Sequence, residues 1–332
     1  MTVAEVTATG VDSVSFAFRP EGRGLFSVVD AFRRQPHRHG PAGSLIAEQR
    51  SVDGGRLLLF PARGVLAVES RLAALLAANP DDHGLCSVSS LPSGAEVARR
   101  ALGTHLDHDL VGEHVEVRRI DLASELRFGA APDGLAFLRS VAALAPARMI
   151  TDTYRAVDGS VMTVYARTPG RGVVTARIYD KGRESGSDPP GRRVRIESQI
   201  RPVKSQRQSP DVVASLDLSE RFGRTMKPYL SENELVVAGP DGAVADLAAK
   251  AINGEMTHAR AERLIGSVAL LKYGGRAVYD SVETGRKVND RRSSRRLKAL
   301  RDAGVVLSDE LPPASVVPVS ALLRDAIERF TA

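Results

Sequence analysis

Apolar and polar positions alternate along residues 163–201 and predict three short β-strands. The strands are predicted at residues 163–167, 173–181 and 193–201, with turns rich in Gly, Pro and Ser between them. Successive side chains of a strand point to opposite faces, so Ala176 and Ile178 share one face of the middle strand while Arg177 and Tyr179 share the other. Each strand is therefore predicted to bury an aliphatic face and to present a polar one.

A fourth strand with the same pattern is predicted at residues 115–128. Ile120 and Leu122 fall on one parity, and the alternation slips near Arg118, which predicts either a β-bulge or a change of neighbouring strand. If the aliphatic sides of all four strands face one core, their charged side chains meet on the opposite face, close to Tyr165. The charged side chains predicted to meet there are Arg119, Asp121, Arg177, Lys181, Arg195 and Glu197.

These side chains combine acids, cations and a hydroxyl in one place. Two carboxylates ringed by cations, Asp121 and Glu197, suit a divalent metal, Mg²⁺ or Mn²⁺, together with a phosphate group. Arg177 and Lys181 would offset the negative charge that develops on that phosphate, and Tyr165 would attack it and form a phosphotyrosine bond. A ladder of cross-strand salt bridges on an exposed sheet face is the alternative interpretation of the same pattern.

Four short motifs in this region resemble those of the Rep_trans-type rolling-circle replication initiators, a family found on Gram-positive plasmids and related phage-like elements. The motifs are RIDLASE at 119–125, TVY at 163–165 with a basic loop after it, RIYDKGRE at 177–184 and RVRIE at 193–197. In addition, VDSVSFAFRP at 11–20 is similar to the family's opening strand. The resemblance implies a nicking–joining endonuclease. In that family the tyrosine attacks one strand of the replication origin, stays on the 5′ phosphate and frees a 3′ hydroxyl.

The resemblance also bears on which tyrosine is the nucleophile. It favours Tyr165, because this residue stands in the T-x-Y motif and borders a loop that would admit a DNA strand. Two departures from the family's pattern leave the choice open, since Ala166 follows the tyrosine and the loop reads ARTPGRGV. Tyr179, in the YDK motif, is the alternative nucleophile, and Tyr154 is the third candidate.

Toward the C-terminus the pattern changes from strands to helices and predicts a winged helix-turn-helix-like module. A helix capped by Thr257, a shorter helix, and a helix that ends at Gly304 precede a Val-Val-Leu strand. Leu297 and Leu300 are predicted to face the core of the module, while the basic side chains of the last helix face the DNA. Those basic side chains are Arg291, Arg292, Arg295, Arg296, Lys298 and Arg301. In the first domain, the predicted DNA-binding residues are Arg119 and Arg195.

The predicted organisation has three parts. Residues 1–10 are predicted to be a flexible tail, residues 11–230 a nicking–joining endonuclease domain, and residues 231–332 a C-terminal DNA-binding module. Strands with helices between them predict an α+β class for the first domain, with a mostly antiparallel central sheet and flanking helices.

The composition agrees with a DNA-binding protein of the cytoplasm. Lys and Arg number 46 against 40 Asp and Glu, a net charge of +6, which is consistent with nucleic acid as a partner. The single cysteine, Cys86, excludes an intramolecular disulfide, and no membrane span or signal peptide is expected. The predicted partners are double-stranded origin DNA and the nicked single strand. A host helicase and a homodimer remain open.

The predicted function is initiation of rolling-circle replication by origin binding and a metal-dependent nick. The alternative is a non-catalytic, sequence-specific DNA-binding regulator derived from such an initiator. A separate motif, His37-Arg38-His39, spells the H-x-H metal pair of another class of nucleases. Pro36 and Gly40 beside it argue against the strand that such a pair needs, so no strand is expected there.

Overall fold

The computed structural model describes most of the chain in twelve segments. They are residues 4–19, 37–39, 45–50, 56–60, 65–77, 84–105, 114–144, 149–168, 175–201, 208–230, 235–269 and 297–331.

A ten-stranded sheet forms the centre of the molecule. Its strands are β1 (Ala4–Phe18), β2 (His37–His39), β3 (Leu45–Arg50), β4 (Arg56–Phe60), β5 (Val65–Arg71), β6 (Val115–Phe128), β7 (Ile150–Arg155), β8 (Val161–Arg167), β9 (Thr175–Asp180) and β10 (Arg193–Ile200). Their order across the sheet is β2-β3-β4-β5-β1-β6-β10-β9-β8-β7. Every neighbouring pair is antiparallel. The predicted α+β class with a mostly antiparallel central sheet is confirmed.

The described segments contain eight α-helices. They are α1 (Leu72–Ala77), α2 (Leu91–His105), α3 (Ala131–Leu144), α4 (Lys181–Ser185), α5 (Pro210–Ala214), α6 (Ser219–Met226), α7 (Pro240–Ile252) and α8 (Val319–Thr331). All of them except α4 and α7 contribute buried side chains to the core on the aliphatic face of the sheet. Phe137 of α3, Phe222 of α6 and Leu323 of α8 join Ile178 and Ile196 of the sheet in one buried core. The strand parity that buries these isoleucines leaves the opposite face to polar side chains. Among the described helices, none is both long and apolar enough to cross a membrane.

The hairpin of β7 and β8 turns at Asp158 and Gly159. Gly159 has a φ of 78°, a left-handed conformation that glycine adopts without steric cost. Asp158 closes the turn by accepting hydrogen bonds from the N–H and the hydroxyl of Ser160, at 2.9 and 2.5 Å. The slip of alternation near Arg118 is a β-bulge, since the register between β1 and β6 steps from Arg119 to Val117 and leaves Arg118 out. The predicted bulge is confirmed.

Two predictions about the N-terminal part are wrong. Residues 4–10 were assigned to a flexible tail, but they form the first half of β1 and pair with residues 123–128 of β6. The segment His37–His39, for which no strand was expected, is β2 and pairs with β3. In both places pairing with a neighbouring strand outweighs the local sequence preference. β2 lies at one edge of the sheet, six strands away from β10.

A smaller sheet of three short strands follows the large one in the chain. It contains β11 (Val236–Ala238), β12 (Val305–Leu307) and β13 (Val316–Val317) in the order β12-β11-β13. Residues 258–269 and 297–302 are helical, and with α7 they enclose a second core that includes Leu264, Leu300 and Val305. β12 and β13 flank β11 instead of pairing with each other as the two strands of a wing would. The winged arrangement stays a prediction, because residues 270–296 lie outside the described residues.

The last helix belongs to the first core by its contacts. Leu323 and Ala326 of α8 are buried against the large sheet, and Phe330 stacks on Phe222 of α6 with ring centroids 4.7 Å apart. The predicted boundary near residue 230 separates α8 from these partners. Two further contacts cross that boundary, from Arg155 to Glu310 at 2.6 Å and from Arg301 to the carbonyl of Leu144 at 3.1 Å.

Candidate active site on the polar face of the sheet

Most of the side chains singled out by the sequence lie on one face of strands β6, β10, β9 and β8. The backbone register arranges them in rows that run across the strands. One row joins Tyr165, Arg177 and Glu197, because Tyr165 pairs with Arg177 and Arg177 pairs with Glu197. The adjacent row joins Thr163, Tyr179, Arg195 and Glu125. The next row on the other side joins Thr175, Gln199 and Asp121. We call this surface the polar face.

The deepest part of the polar face is a buried network that we call the inner cluster. Its members are Asp12, Glu125, Tyr179, Arg195 and Glu197. Arg195 is only 1% exposed, and its guanidinium donates hydrogen bonds to Asp12 and, at 2.8 Å, to Glu125. A buried charge is tolerated only when it is paired, and here one cation holds two acids from β1 and β6. This position leaves Arg195 no surface for DNA, so the predicted DNA contact by this residue is wrong.

Tyr179 and Glu197 form the other half of the inner cluster. The Tyr179 hydroxyl, on β9, donates a short hydrogen bond to Glu197 on β10. Both side chains are buried, at 1% and 5% exposed. Arg177 approaches the same pair, with its Nη1 3.5 Å from Glu197 and its guanidinium carbon 3.9 Å from the centre of the Tyr179 ring. Burial and the neighbouring Glu197 charge raise the pKa of Tyr179 far above its ordinary value. A tyrosine held in this way is poorly suited to attack a phosphate.

The residues of the YDK motif also begin the short helix α4. After Tyr179, Asp180 caps α4 by accepting the N–H of Arg183 at 3.0 Å, and it also accepts the N–H of Gly191 at 2.8 Å. Lys181 is the first residue of α4 and donates to Glu184 at 2.7 Å. Burial and the nearby Arg195 lower the pKa of Lys181. The motif therefore fixes the start of a short helix that supports the polar face.

Arg119 and Asp121 form a separate pair on β6. Two guanidinium nitrogens of Arg119 donate to the two oxygens of Asp121 at 3.1 and 2.9 Å, and Arg119 also lies 3.5 Å from Glu69 of β5. Burial raises the pKa of Asp121, and Arg119 partly offsets that effect. The structure thus places both predicted residues on the polar face. Arg119 is partly exposed, and its predicted contact with DNA stays a prediction.

Toward strands β9, β8 and β7 the polar face is more exposed than at the inner cluster, and we call this part the outer surface. Its members are Asp152, Tyr154, Tyr165, Arg167 and Arg177. Tyr165 is partly exposed, and the Arg177 guanidinium carbon lies 5.6 Å from the centre of its ring. The ring of Tyr154, on the edge strand β7, meets the Tyr165 ring edge to face with centroids 5.5 Å apart. Of the three candidate tyrosines, Tyr165 alone combines access from solvent with a close cation.

The pKa of Glu197 is shifted strongly toward the protonated form in this site. Burial raises its pKa to about 7, and the nearby charges of Asp12 and Asp121 act in the same direction. The cation Arg177 and the hydrogen bond from Tyr179 act against this rise. Several acids that crowd one low-dielectric site cannot all ionise easily. Burial is the main cause of the raised pKa, so the charged form of Glu197 is disfavoured in this site.

Acids in this state have the right chemistry for a divalent cation, whose preferred ligands are carboxylate oxygens. The arrangement, however, does not fit one. Within the described segments, no three His, Cys, Asp or Glu side chains are grouped so that they could hold a metal ion. Asp121 is occupied by Arg119, and Glu197 by Tyr179 and Arg177. A cation bound to the predicted ligands would have to displace these partners.

The predicted DNA-contacting helix is only partly described. Arg291, Arg292, Arg295 and Arg296 lie outside the described residues. Lys298 is exposed and pairs with Asp302 at 2.8 Å. Arg301 instead donates to the carbonyl of Leu144 at the end of α3, so it links this helix to the first core. Leu300 is buried as predicted, but Leu297 is 38% exposed and does not face the core.

Two members of the inner cluster are absent from the predicted site. Glu125 is on the same strand parity as Asp121, and this parity is the signal that identifies it. Asp12 has no such signal, because alternation along VDSVSF places it with Val14 and Phe16 on the aliphatic face. A β-bulge between Val11 and Ser13 turns Asp12 to the polar face instead.

Comparisons with known proteins add little to this picture. No family model matches the chain, and no curated protein matches it. Among solved structures, a rolling-circle replication initiator protein from Geobacillus stearothermophilus aligns with 68% of this chain and 85% of its own, at 14% identity and a TM-score of 0.35. A likeness this low does not establish a shared function.

Proposed function

We propose that this protein is a replication initiator that nicks one strand of DNA, with Tyr165 as the nucleophile. The observation that carries the proposal is the row of Tyr165, Arg177 and Glu197 on adjacent strands. In this row a partly exposed tyrosine, a cation and a buried acid lie side by side. The motifs that resemble the Rep_trans-type initiators supply the same residues independently.

In the proposed reaction, the Tyr165 oxygen attacks the phosphorus of one phosphodiester. A bond forms between the tyrosine oxygen and phosphorus while the bond from phosphorus to the 3′ oxygen breaks. The tyrosine loses its proton, and the departing 3′ oxygen takes one up as a hydroxyl. The ester bond is conserved in the 5′-phosphotyrosine, so the strand can later be rejoined.

In the proposed reaction, Arg177 supports this step through its positive charge. Its guanidinium faces Tyr165 on one side and Glu197 on the other. A fixed positive charge at this point would stabilise the negative charge that grows on the phosphate oxygens. The acid on the far side keeps the guanidinium from turning away. Lys181, which the sequence also predicts to be catalytic, is buried and held by Glu184. This pair lies within α4, and the Lys181 ammonium is 5.7 Å from the centre of the Tyr179 ring on β9.

The buried position of Tyr179 argues against it as the nucleophile. Its hydroxyl is committed to Glu197, and attack on a phosphate would require both the loss of that bond and the opening of the inner cluster. The metal dependence predicted from the sequence stays a prediction, as do the duplex contacts of the basic C-terminal helix. A nick of an origin nevertheless needs duplex binding, which the net charge of +6 favours.

The test is a nicking assay on supercoiled DNA that carries this protein's own gene and flanks, with Mg²⁺ or Mn²⁺ and with EDTA in parallel. Wild type is expected to nick the DNA and to leave a covalent protein–DNA adduct. Tyr165→Phe is expected to lose the adduct. Tyr229→Phe is the matched control, because it also removes one tyrosine hydroxyl, but from the buried core beneath the opposite face of the sheet.

Three results would change the proposal. An adduct that persists in Tyr165→Phe and disappears in Tyr179→Phe would move the nucleophile to Tyr179. Specific retention of the duplex without a nick by wild type would favour the alternative, a DNA-binding regulator. Nicking at full rate in EDTA would remove the metal from the reaction.

A further inference from the structure

The exposed tyrosine of the outer surface has no role in the reaction proposed above. Tyr154 is 58% exposed on the edge strand β7. It pairs with Thr163 across the hairpin, and Thr163 faces the same side as Tyr165. Its ring therefore stands at the open end of the polar face, in edge-to-face contact with the Tyr165 ring. Tyrosine is enriched at interfaces, because its ring is apolar and its hydroxyl can stay in water.

We infer that Tyr154 is a stacking platform for a base of the single-stranded DNA next to the phosphate that Tyr165 attacks. The inference deepens the proposed function and rests on it for the identity of the reacting strand. Surfaces that bind single strands combine aromatic rings, on which bases stack, with cations that follow the phosphates. Tyr154 provides such a ring, and the neighbouring strand β8 provides the nucleophile.

The charges around Tyr154 agree with this occupant. Arg167 and Arg155 are exposed on the same hairpin, and Arg177 lies on the next strand. Each of these cations has an acid beside it: Asp152 lies 3.8 Å from Arg167, Glu310 2.6 Å from Arg155 and Glu184 3.1 Å from Arg177. These pairs are at least partly exposed, so a phosphate can compete for the cations. The combination of one ring with several cations suits a phosphate chain with unstacked bases better than an apolar protein surface, since the neighbouring positions of β7 are mostly polar.

The position of the ring also fits the geometry of a nick. Neighbouring strands of a sheet are about 5 Å apart, so a base on Tyr154 would be next to a phosphate held between Tyr165 and Arg177. Stacking of that base would fix the backbone at the nucleophile and would keep the strand from re-pairing. Tyr154 is a positioning residue in this arrangement, because it touches a base and not the reacting atoms.

The experiment measures binding of a fluorescein-labelled oligothymidylate of about 12 nucleotides, a length in the range that one binding fold covers, by fluorescence anisotropy in EDTA. Tyr154→Ala and Tyr154→Leu are each expected to weaken this binding about 5- to 150-fold, the range reported for loss of one stacked base. Tyr154→Phe keeps the ring and is expected to bind within about twofold of wild type. The control is Val157→Ala, which truncates a fully exposed residue in the turn of the same hairpin.

A second readout uses the chain's own fluorescence. The protein contains six tyrosines and no tryptophan, so tyrosine emission is observed without a tryptophan background. Oligothymidylate is expected to quench part of this emission in wild type and less in Tyr154→Leu. Duplex DNA of the same length serves as the comparison, and its affinity is expected to change by less than twofold in all four variants, since stacking on a base requires an unpaired strand.

The inference is overturned if Tyr154→Ala binds the single strand as tightly as wild type does. It is also overturned if Tyr154→Phe weakens single-strand binding as much as Tyr154→Ala does. An equal loss of duplex binding would also overturn it, because it would point to a change in charge or fold. Failure of the proposed function is recognised separately. A wild type that never nicks, but whose single-strand binding depends on the Tyr154 ring, contradicts the nicking and supports the platform.

Discussion

The inner cluster and the outer surface share one face of one sheet, but they differ in how their charges are used. In the inner cluster, every acid is held by a buried arginine or tyrosine, and the members fix one another across four strands. On the outer surface, Tyr154, Tyr165 and Arg167 are open to solvent and have loose contacts. The buried half therefore holds the strands in place, and in the proposed function the open half meets the DNA. Four measurements test this difference between the two halves.

The largest effect is expected from loss of the central cation. Arg195→Met would leave Asp12 and Glu125 buried without it, and breaking a buried ion pair in this way costs about 3–5 kcal/mol. The free energy of unfolding from urea denaturation should fall by that amount. Arg224→Ala removes an arginine from an exposed pair with Glu220 and should cost less than about 1 kcal/mol. Equal losses of unfolding free energy in the two variants would show that Arg195 stabilises the fold no more than an exposed arginine does.

The pH dependence of stability should report on Glu197. Its pKa is about 7 in the folded protein and about 4.3 in an unfolded chain, so the folded state binds the proton more tightly. The stability is therefore fully present below pH about 4 and declines as the pH rises through 7. The loss amounts to at most about 3–4 kcal/mol.

Urea denaturation in EDTA between pH 4 and 8 would measure this decline. Glu197→Gln removes the titrating group, and its stability should depend less on pH over the same range. The charged groups that face Glu197 are Asp12, Asp121 and Arg177, and they remain in the variant. A decline that is unchanged in Glu197→Gln would assign the pH dependence to another group.

A smaller effect is expected from Tyr179→Phe. It removes the donor from a buried carboxylate, which typically costs about 1–3 kcal/mol. The same hydrogen bond lowers the pKa of Glu197, so its loss should move the pH-dependent decline to higher pH. Because Tyr179 is assigned to the inner cluster and not to the chemistry, the covalent adduct with DNA should still form. A stable variant without an adduct would contradict this assignment.

The smallest effect is expected at the contact between the large sheet and the C-terminal module. Arg155 and Glu310 are paired at 2.6 Å, but both side chains are exposed. Glu310→Gln should change the free energy of unfolding by less than about 1 kcal/mol, and less in high salt. A loss of several kcal/mol would mean that this pair stabilises the fold as strongly as the inner cluster does.

The sequence predicted the strands of the site and the side chains that share its face, because alternation with period two is a local property. It predicted the bulge at Arg118 for the same reason, since a break in alternation is visible in the residues themselves. It did not predict Asp12, because the bulge that turns this residue to the polar face depends on its pairing with β6. It also assigned residues 4–10 to a tail, although pairing with the end of β6 makes them a strand.

The sequence alone therefore predicts most of the side chains at the site: a tyrosine, four basic side chains and two acids, in motifs with fixed spacing. The tertiary structure decided which of them are buried and which are open. Arg195 and Arg177 look alike in the sequence, and each pairs with two acids. Arg195 is nevertheless fully buried, whereas Arg177 is partly exposed and lies beside Tyr165. The reason is physical: exposure and pairing depend on the strands and helices that lie beside a residue, and these come from distant parts of the chain.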